Sequence, residues 1–152
     1  MVTGMRYLTK TGSRPGVTRA VNFFLINGKI SIADLPGYGY AKLPKNVSAG
    51  FIPLMRDYIN RRDNLRLAFL LVDIRRTPDE RDRLIMDLIL AREVPVAVIV
   101  TKSDKVSKNR RKAFSAEILN SLGIGEESLL FTSSHTGEGR DTILRLVEEY
   151  RR

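Results

Sequence analysis

Four short segments carry residues whose types and order suit a charged ligand with a planar base. The first, Gly16-Val17-Thr18-Arg19-Ala20, places a threonine hydroxyl in a glycine-bearing loop before an apolar run. The second, Asp34-Leu35-Pro36-Gly37, ends an apolar run in a carboxylate and a tight turn, where backbone can come close to a small anion. The third, Thr101-Lys102-Ser103-Asp104, follows another apolar run. A carboxylate at Asp104 can accept two hydrogen bonds from guanine, from the ring N–H and from the exocyclic amine. Adenine offers an acceptor at the first position and no amine at the second, so the carboxylate would stay unpaired, and an unpaired charge is what lets a site discriminate. The alkyl stem of Lys102 can lie along a purine face while its ammonium stays in water. The fourth, Thr132-Ser133-Ser134, opens a run of small residues that lets backbone N–H groups approach a base carbonyl. Singly these signals are weak, and Asp34 to Gly37 taken alone reads more readily as an ordinary Asx-type turn. Their joint occurrence in this order is the informative fact.

The surrounding elements must put these loops together. Residues 20–26 are a short apolar and aromatic strand, Asn27-Gly28 is a hairpin signal, and the alternating residues 29–35 return antiparallel. Residues 47–64 have helical spacing, with Pro53 implying a kink or a late start. Residues 65–74 and 94–101 are near-continuous apolar runs, expected as strands covered on both faces. Between them, Thr77-Pro78-Asp79-Glu80 starts a helix with Leu84, Ile85, Leu88 and Ile89 on one face. Residues 107–123 form an amphipathic helix stopped by Gly123, 128–134 a short strand, and 139–152 a closing helix. Strand-helix alternation argues for an α/β fold with a mostly parallel sheet and one antiparallel hairpin. Asp34, Asp73, Thr101 to Asp104 and Thr132 to Ser134 all fall at strand carboxyl ends, where such sheets bind ligands.

The 152 residues suffice for one domain with a real core. A net charge of +9 is concentrated at Arg61-Arg62, Arg75-Arg76, Lys105 to Lys112 and Arg151-Arg152. Such an excess favours a polyanion such as RNA, with a merely solvated basic surface as the alternative for any one cluster. With no cysteine and one histidine, a disulfide scaffold or a metal cluster is not expected, and a reducing, cytoplasmic home fits best. No apolar run reaches the roughly 20 residues of a membrane helix.

The segments PGVTRAVNFF, DLPGYGYAK, LLVDIRRTPDERD, IVTKSDK and TSSHTGEG resemble the EngB/YihA/YsxC family of ribosome-biogenesis GTP-binding proteins. The likeness runs from about residue 10 onward. It implies a P-loop GTPase-like three-layer sandwich, here as a single G domain over 1–152. By that resemblance Thr18, within Gly16 to Ala20, would ligate Mg²⁺ and sense the γ-phosphate. Asp34 would hold Mg²⁺ through a water, and the Gly37 N–H would meet the γ-phosphate. Thr101, Lys102, Ser103 and Asp104 would read guanine, and Thr132, Ser133 and Ser134 would close over the base. GTP or GDP, Mg²⁺, a ribosomal subunit or rRNA partner, large-subunit assembly and normal cell division and septation are implied likewise. Tyr38 stands where Ras-like enzymes carry a water-orienting Gln, so hydrolysis is expected to be slow without a partner.

One element of the family pattern is missing. The only Gly-Lys pair is Gly28-Lys29, inside the hairpin, and no G-x-x-x-x-G-K-[ST] occurs in the 152 residues. The expectation is an incomplete form, without the P-loop and its strand, that binds nucleotide poorly. The alternative is a degenerate, non-catalytic basic module that binds RNA or the ribosome. A receiver-type domain built on Asp73, Thr101 and Lys102 fits less well, lacking the acidic pair after its first strand. His135 reads as a surface loop residue.

Overall fold

The computed structural model describes residues 21–35, 37 and 50–151, which fall into two compact units divided between Arg61 and Arg62. In the first unit, β1 (Asn22–Ile26) and β2 (Ile30–Asp34) pair antiparallel, with Ile26 opposite Ile30 and Asn22 opposite Asp34. Asn27 and Gly28 both take left-handed backbone, at φ 51° and 65°, the conformation these two residue types tolerate best. The Lys29 N–H closes the turn on the Ile26 carbonyl at 3.0 Å. Asn27-Gly28 alone suggests a two-residue loop. Lys29 stays in the turn instead, and pairing resumes at Ile30.

The helix α1 (Phe51–Asn60) starts after Gly50, so Pro53 lies in the first turn, where a missing N–H breaks no intrahelical bond. Of the two expectations for Pro53, the late start is the one realised. Phe51, Met55 and Ile59 are buried and recur every four residues, forming one apolar stripe. The Tyr58 ring lies 6.1 Å from that of Phe23.

In the second unit, β3 (Ala68–Asp73), β4 (Val96–Thr101) and β5 (Leu129–Phe131) form a parallel sheet in the order β3-β4-β5. Parallel neighbours need crossovers, which α2 (Glu80–Leu90) and α3 (Lys108–Leu122) supply; α4 (Arg140–Glu149) follows β5. The central strand β4 buries Val98, Ile99 and Val100 in succession, so both its faces are covered. β3 departs from the expected double cover. Leu70 and Val72 are buried, but Leu71 between them is 62% exposed. Among the described residues β3 has a strand neighbour on one side only.

Asp79 caps α2, accepting from the Arg81 and Asp82 N–H groups at 2.9 and 3.4 Å, while the Asp82 carboxylate accepts from the Asp79 N–H at 2.7 Å. That reciprocal box is what the Thr-Pro-Asp-Glu signal foreshadows. The buried face is rotated from the expected one: Asp82, Ile85, Met86 and Ile89 are inside, and Leu84 is exposed. The cause is Asp82, which turns inward to the Arg76 guanidinium at 2.7 and 2.8 Å. α2 and α3 lie side by side, joined by Arg83 Nε donating to the Ser121 carbonyl, and the Thr77 hydroxyl in the turn before α2 donates to Glu117 of α3. Gly123 ends α3 at φ 66°, its N–H donating to the Leu119 carbonyl at 2.8 Å. The α/β class and the parallel sheet stand as expected. Among the described residues the hairpin is a sheet of its own rather than part of one larger sheet.

Candidate functional site

The parallel sheet of the second unit ends three strands together, at Asp73, Thr101 and Phe131. Asp73 and Thr101 are register partners, and the Thr101 hydroxyl donates to the Val72 carbonyl at 3.1 Å. Beyond Thr101 the chain turns sharply, with Lys102 in the left-handed region at φ 59° and ψ 34°, and then makes a single 3₁₀ turn, Ser103–Lys105. A non-glycine residue in that conformation costs about 1–2 kcal/mol, so the surroundings must hold it.

They do so through Ser103, which is fully buried. Its N–H donates to the Thr132 carbonyl at 3.0 Å and its hydroxyl to Glu138 Oε2 at 2.5 Å. The second loop is tied back as firmly. The Thr132 N–H donates to the Val100 carbonyl at 2.7 Å, and the Ser133 N–H to the Glu138 carbonyl at 3.1 Å. Gly139 sits at φ 77°, and a Cβ there would run into the Phe131 carbonyl and the Thr132 methyl, so glycine is required.

These two loops set the environment of Asp104. The buried Ser133 hydroxyl accepts from the N–H groups of His135 and Thr136, both at 3.2 Å, which leaves its own proton for Asp104 Oδ1 at 2.7 Å. Asp104 Oδ2 lies 3.2 Å from the Lys105 ammonium. The Ser133 hydrogen bond, followed by that of Lys105, holds the Asp104 carboxyl below its ordinary value. An ionised carboxylate fixed this way has lone pairs left to accept from a ligand.

The Lys102 ammonium lies 2.9 Å from Asp73 Oδ2, so its alkyl stem spans the mouth between the β3 and β4 ends. Asp73 also accepts from the Arg75 backbone N–H at 3.0 Å and from its guanidinium at 2.9 and 2.7 Å. Those bonds, Arg75 foremost, push its carboxyl well below the usual range. Asp73 therefore caps the turn after β3, as its position suggests, and also parks the lysine.

The structure thus brings together Thr101, Lys102, Ser103, Asp104, Thr132 and Ser133, with Ser134 exposed at the edge. Asp34 ends β2 exposed, followed by half-buried Leu35 and exposed Gly37. Gly16, Val17, Thr18, Arg19, Ala20 and Pro36 lie outside the described residues, as does Tyr38. His135 is exposed, and among the described residues no group of three or more His, Cys, Asp or Glu could hold a metal. No helix among them is long and apolar enough to cross a membrane. Two residues that sequence reasoning passed over, Arg111 and Glu138, join this network; their only sequence signal was a place in the basic run and a place in the small-residue loop. The basic clusters are partly spent internally. Arg75 pairs with Asp73, Arg76 with Asp82, Lys105 with Asp104, Arg111 with Glu138 and Arg151 with Glu148.

Residues 2–102 match the family model described as "50S ribosome-binding GTPase". The chain is 40% identical over 148 residues to the "Probable GTP-binding protein EngB" of Geobacter sulfurreducens, covering 97% of this chain and 72% of that protein. It is 43% identical over 141 residues to the protein of the same name from Geobacter metallireducens, covering 93% of this chain and 69% of that one. A crystal structure of a probable GTP-binding protein engB superimposes with TM-score 0.79 at 21% identity, over 99% of this chain and 89% of that one. Era in complex with MgGDPNP and a segment of 16S ribosomal RNA superimposes with TM-score 0.62 at 20% identity, over 89% of this chain and 45% of that one. With a carboxylate poised at the end of a parallel sheet and relatives that share two-fifths of its residues along nearly its whole length, the chain belongs to the EngB family of GTP-binding proteins.

Proposed function

We propose that this chain binds guanine nucleotides by the carboxylate of Asp104 and serves ribosome assembly. The observation that carries the reading is the Ser133 hydroxyl donating to Asp104 Oδ1 at 2.7 Å. It fixes an ionised acceptor beside the Lys102 stem, where guanine can satisfy two further hydrogen bonds and adenine cannot. Thr101 orients the β4 end, and Thr132 to Ser134 line the base from the β5 side. Mg²⁺ prefers hard oxygen donors, and exposed Asp34 at the end of β2 is one such donor. With Thr18 it would hold the ion, which neutralises phosphate charge when bound.

The partner in this reading is a ribosomal subunit or its rRNA, in the cytoplasm, with large-subunit assembly and cell division as the biological setting. The net charge of +9 supports a polyanionic partner. The test is equilibrium dialysis of the chain with millimolar GDP and ADP. Guanine preference of about tenfold or more is expected from the two hydrogen bonds to a charged acceptor. Equal binding, or none alongside salt-dependent rRNA binding, would favour a non-catalytic basic module instead.

A further inference from the structure

Ser103 has all three of its polar groups committed, and two of them converge on one pair of side chains. Its hydroxyl donates to Glu138 Oε2 at 2.5 Å, and its carbonyl accepts from Arg111 Nη2 at 3.1 Å. Arg111 grips Glu138 with both prongs, Nη1 to Oε1 at 2.6 Å and Nη2 to Oε2 at 3.1 Å. Its guanidinium carbon stands 5.5 Å from the centroid of the Phe131 ring at the end of β5. The Arg111 side chain is only 18% exposed, and its Nε is buried without a hydrogen-bond partner. Burying a donor unpaired is unfavourable, so the placement is dictated by what the fork holds. The Glu138 carbonyl meanwhile accepts from the N–H of Ser133, the residue that holds Asp104. The ion pair therefore holds Ser103, the residue before the reading carboxylate, by its side chains, and it fixes Glu138, whose backbone carbonyl holds Ser133 across from that carboxylate.

We propose that Arg111 and Glu138 are a positioning pair that sets the spacing between Asp104 and Ser133, and through it the discrimination of guanine from other purines. The proposal rests on Asp104 being the base reader. Neither residue touches the base; they act through Ser103 and Ser133. A pair of this kind controls selectivity because a carboxylate displaced by an ångström keeps its charge but loses the alignment of its second hydrogen bond.

The test uses Arg111→Met, which keeps the stem and removes the fork, Arg111→Lys, which keeps the charge, and Glu138→Gln, which keeps the size. Lys112→Met, an exposed change on the same helix, is the control. The first readout is amide exchange at Ser103 and Ser133 without ligand. Protection at both should fall at least about tenfold in R111M and be unchanged in K112M. Unchanged protection in R111M overturns the clamp. The second readout is the ratio of GDP to IDP affinity, since hypoxanthine lacks the 2-amine. A wild-type ratio of about tenfold should drop to about twofold in R111M, with R111K and E138Q between. If both affinities fall by the same factor and the ratio holds, the pair is merely structural and the proposal fails alone. A wild-type chain with no guanine preference overturns the reading of Asp104 and the proposal together. If R111M does not fold, E138Q and R111K decide by the same two readouts.

Discussion

The turn that carries Asp73 is pinned by an ion pair whose removal should cost more than any other single change in it. Asp82 is fully buried, and its carboxylate accepts from Arg76 Nη1 at 2.7 Å and Nη2 at 2.8 Å, in the side-by-side geometry that guanidinium and carboxylate share. Arg76→Met leaves Asp82 inside without this guanidinium, though still accepting from the Asp79 N–H at 2.7 Å. Breaking a buried pair from one side costs about 3–5 kcal/mol. The Arg76 side chain is 32% exposed, so water reaches part of the pair and the lower end, about 3 kcal/mol, is expected. For a chain of this size that lowers the midpoint of thermal unfolding by roughly 6–12 °C. Asp82→Leu should cost less, about 2 kcal/mol, because the arginine can swing into solvent. The double variant should lose about 2 kcal/mol rather than the sum of about 5, since it leaves no charge inside. Urea denaturation followed by circular dichroism measures all three. Additive losses, or a loss under about 1 kcal/mol for Arg76→Met, would refute the reasoning that the turn depends on this pair.

Two further outcomes follow from the site. The Arg111 guanidinium and then the Ser103 hydroxyl hold the Glu138 carboxyl below its ordinary value of 4.5. A depressed carboxyl stabilises the fold fully above its unfolded value and loses that contribution as pH falls through the lower folded value. The stability gap between wild type and Glu138→Gln should therefore be constant near neutrality and close below about pH 4.5; a gap that widens in acid contradicts the ion pair. Lys102→Gly removes left-handed strain at φ 59° but adds unfolded-state freedom, and the Asp73 pair it loses is half-exposed at the lysine end, with Asp73 still held by the Arg75 guanidinium. Stability by urea titration should stay within about 1 kcal/mol of wild type, while guanine affinity by dialysis falls about fivefold with the loss of the apolar stem. Equal affinity would show that the stem does not cover the base.

What was legible in the sequence was local. Asn27-Gly28 and Gly123 announce left-handed backbone because few other residues adopt it cheaply, and both do so here. The strand ends were legible because continuous apolar runs stop in Asp73 and Thr101. The stripe of α2 was misread at Leu84 because periodicity counts apolar residues, and Asp82 is a charge that goes inside to meet Arg76. Arg111 and Glu138 were invisible for a related reason. They lie 27 residues apart, in a basic run and a small-residue loop, and only the convergence of β4 and β5 brings them to Ser103. Long-range polar contacts leave no local period.

The central claim is that the Asp104 carboxylate chooses the base, and Asp104→Asn tests it most directly. An asparagine amide presents a donor where the carboxylate presented an acceptor, and xanthine carries a carbonyl where guanine carries its 2-amine. Measured by dialysis with GDP and xanthosine diphosphate, the wild-type chain should prefer GDP and the variant should prefer the xanthine nucleotide, a reversal of about tenfold or more in each direction. An Asp104→Asn protein that folds and keeps the wild-type order of the two ligands would contradict the account.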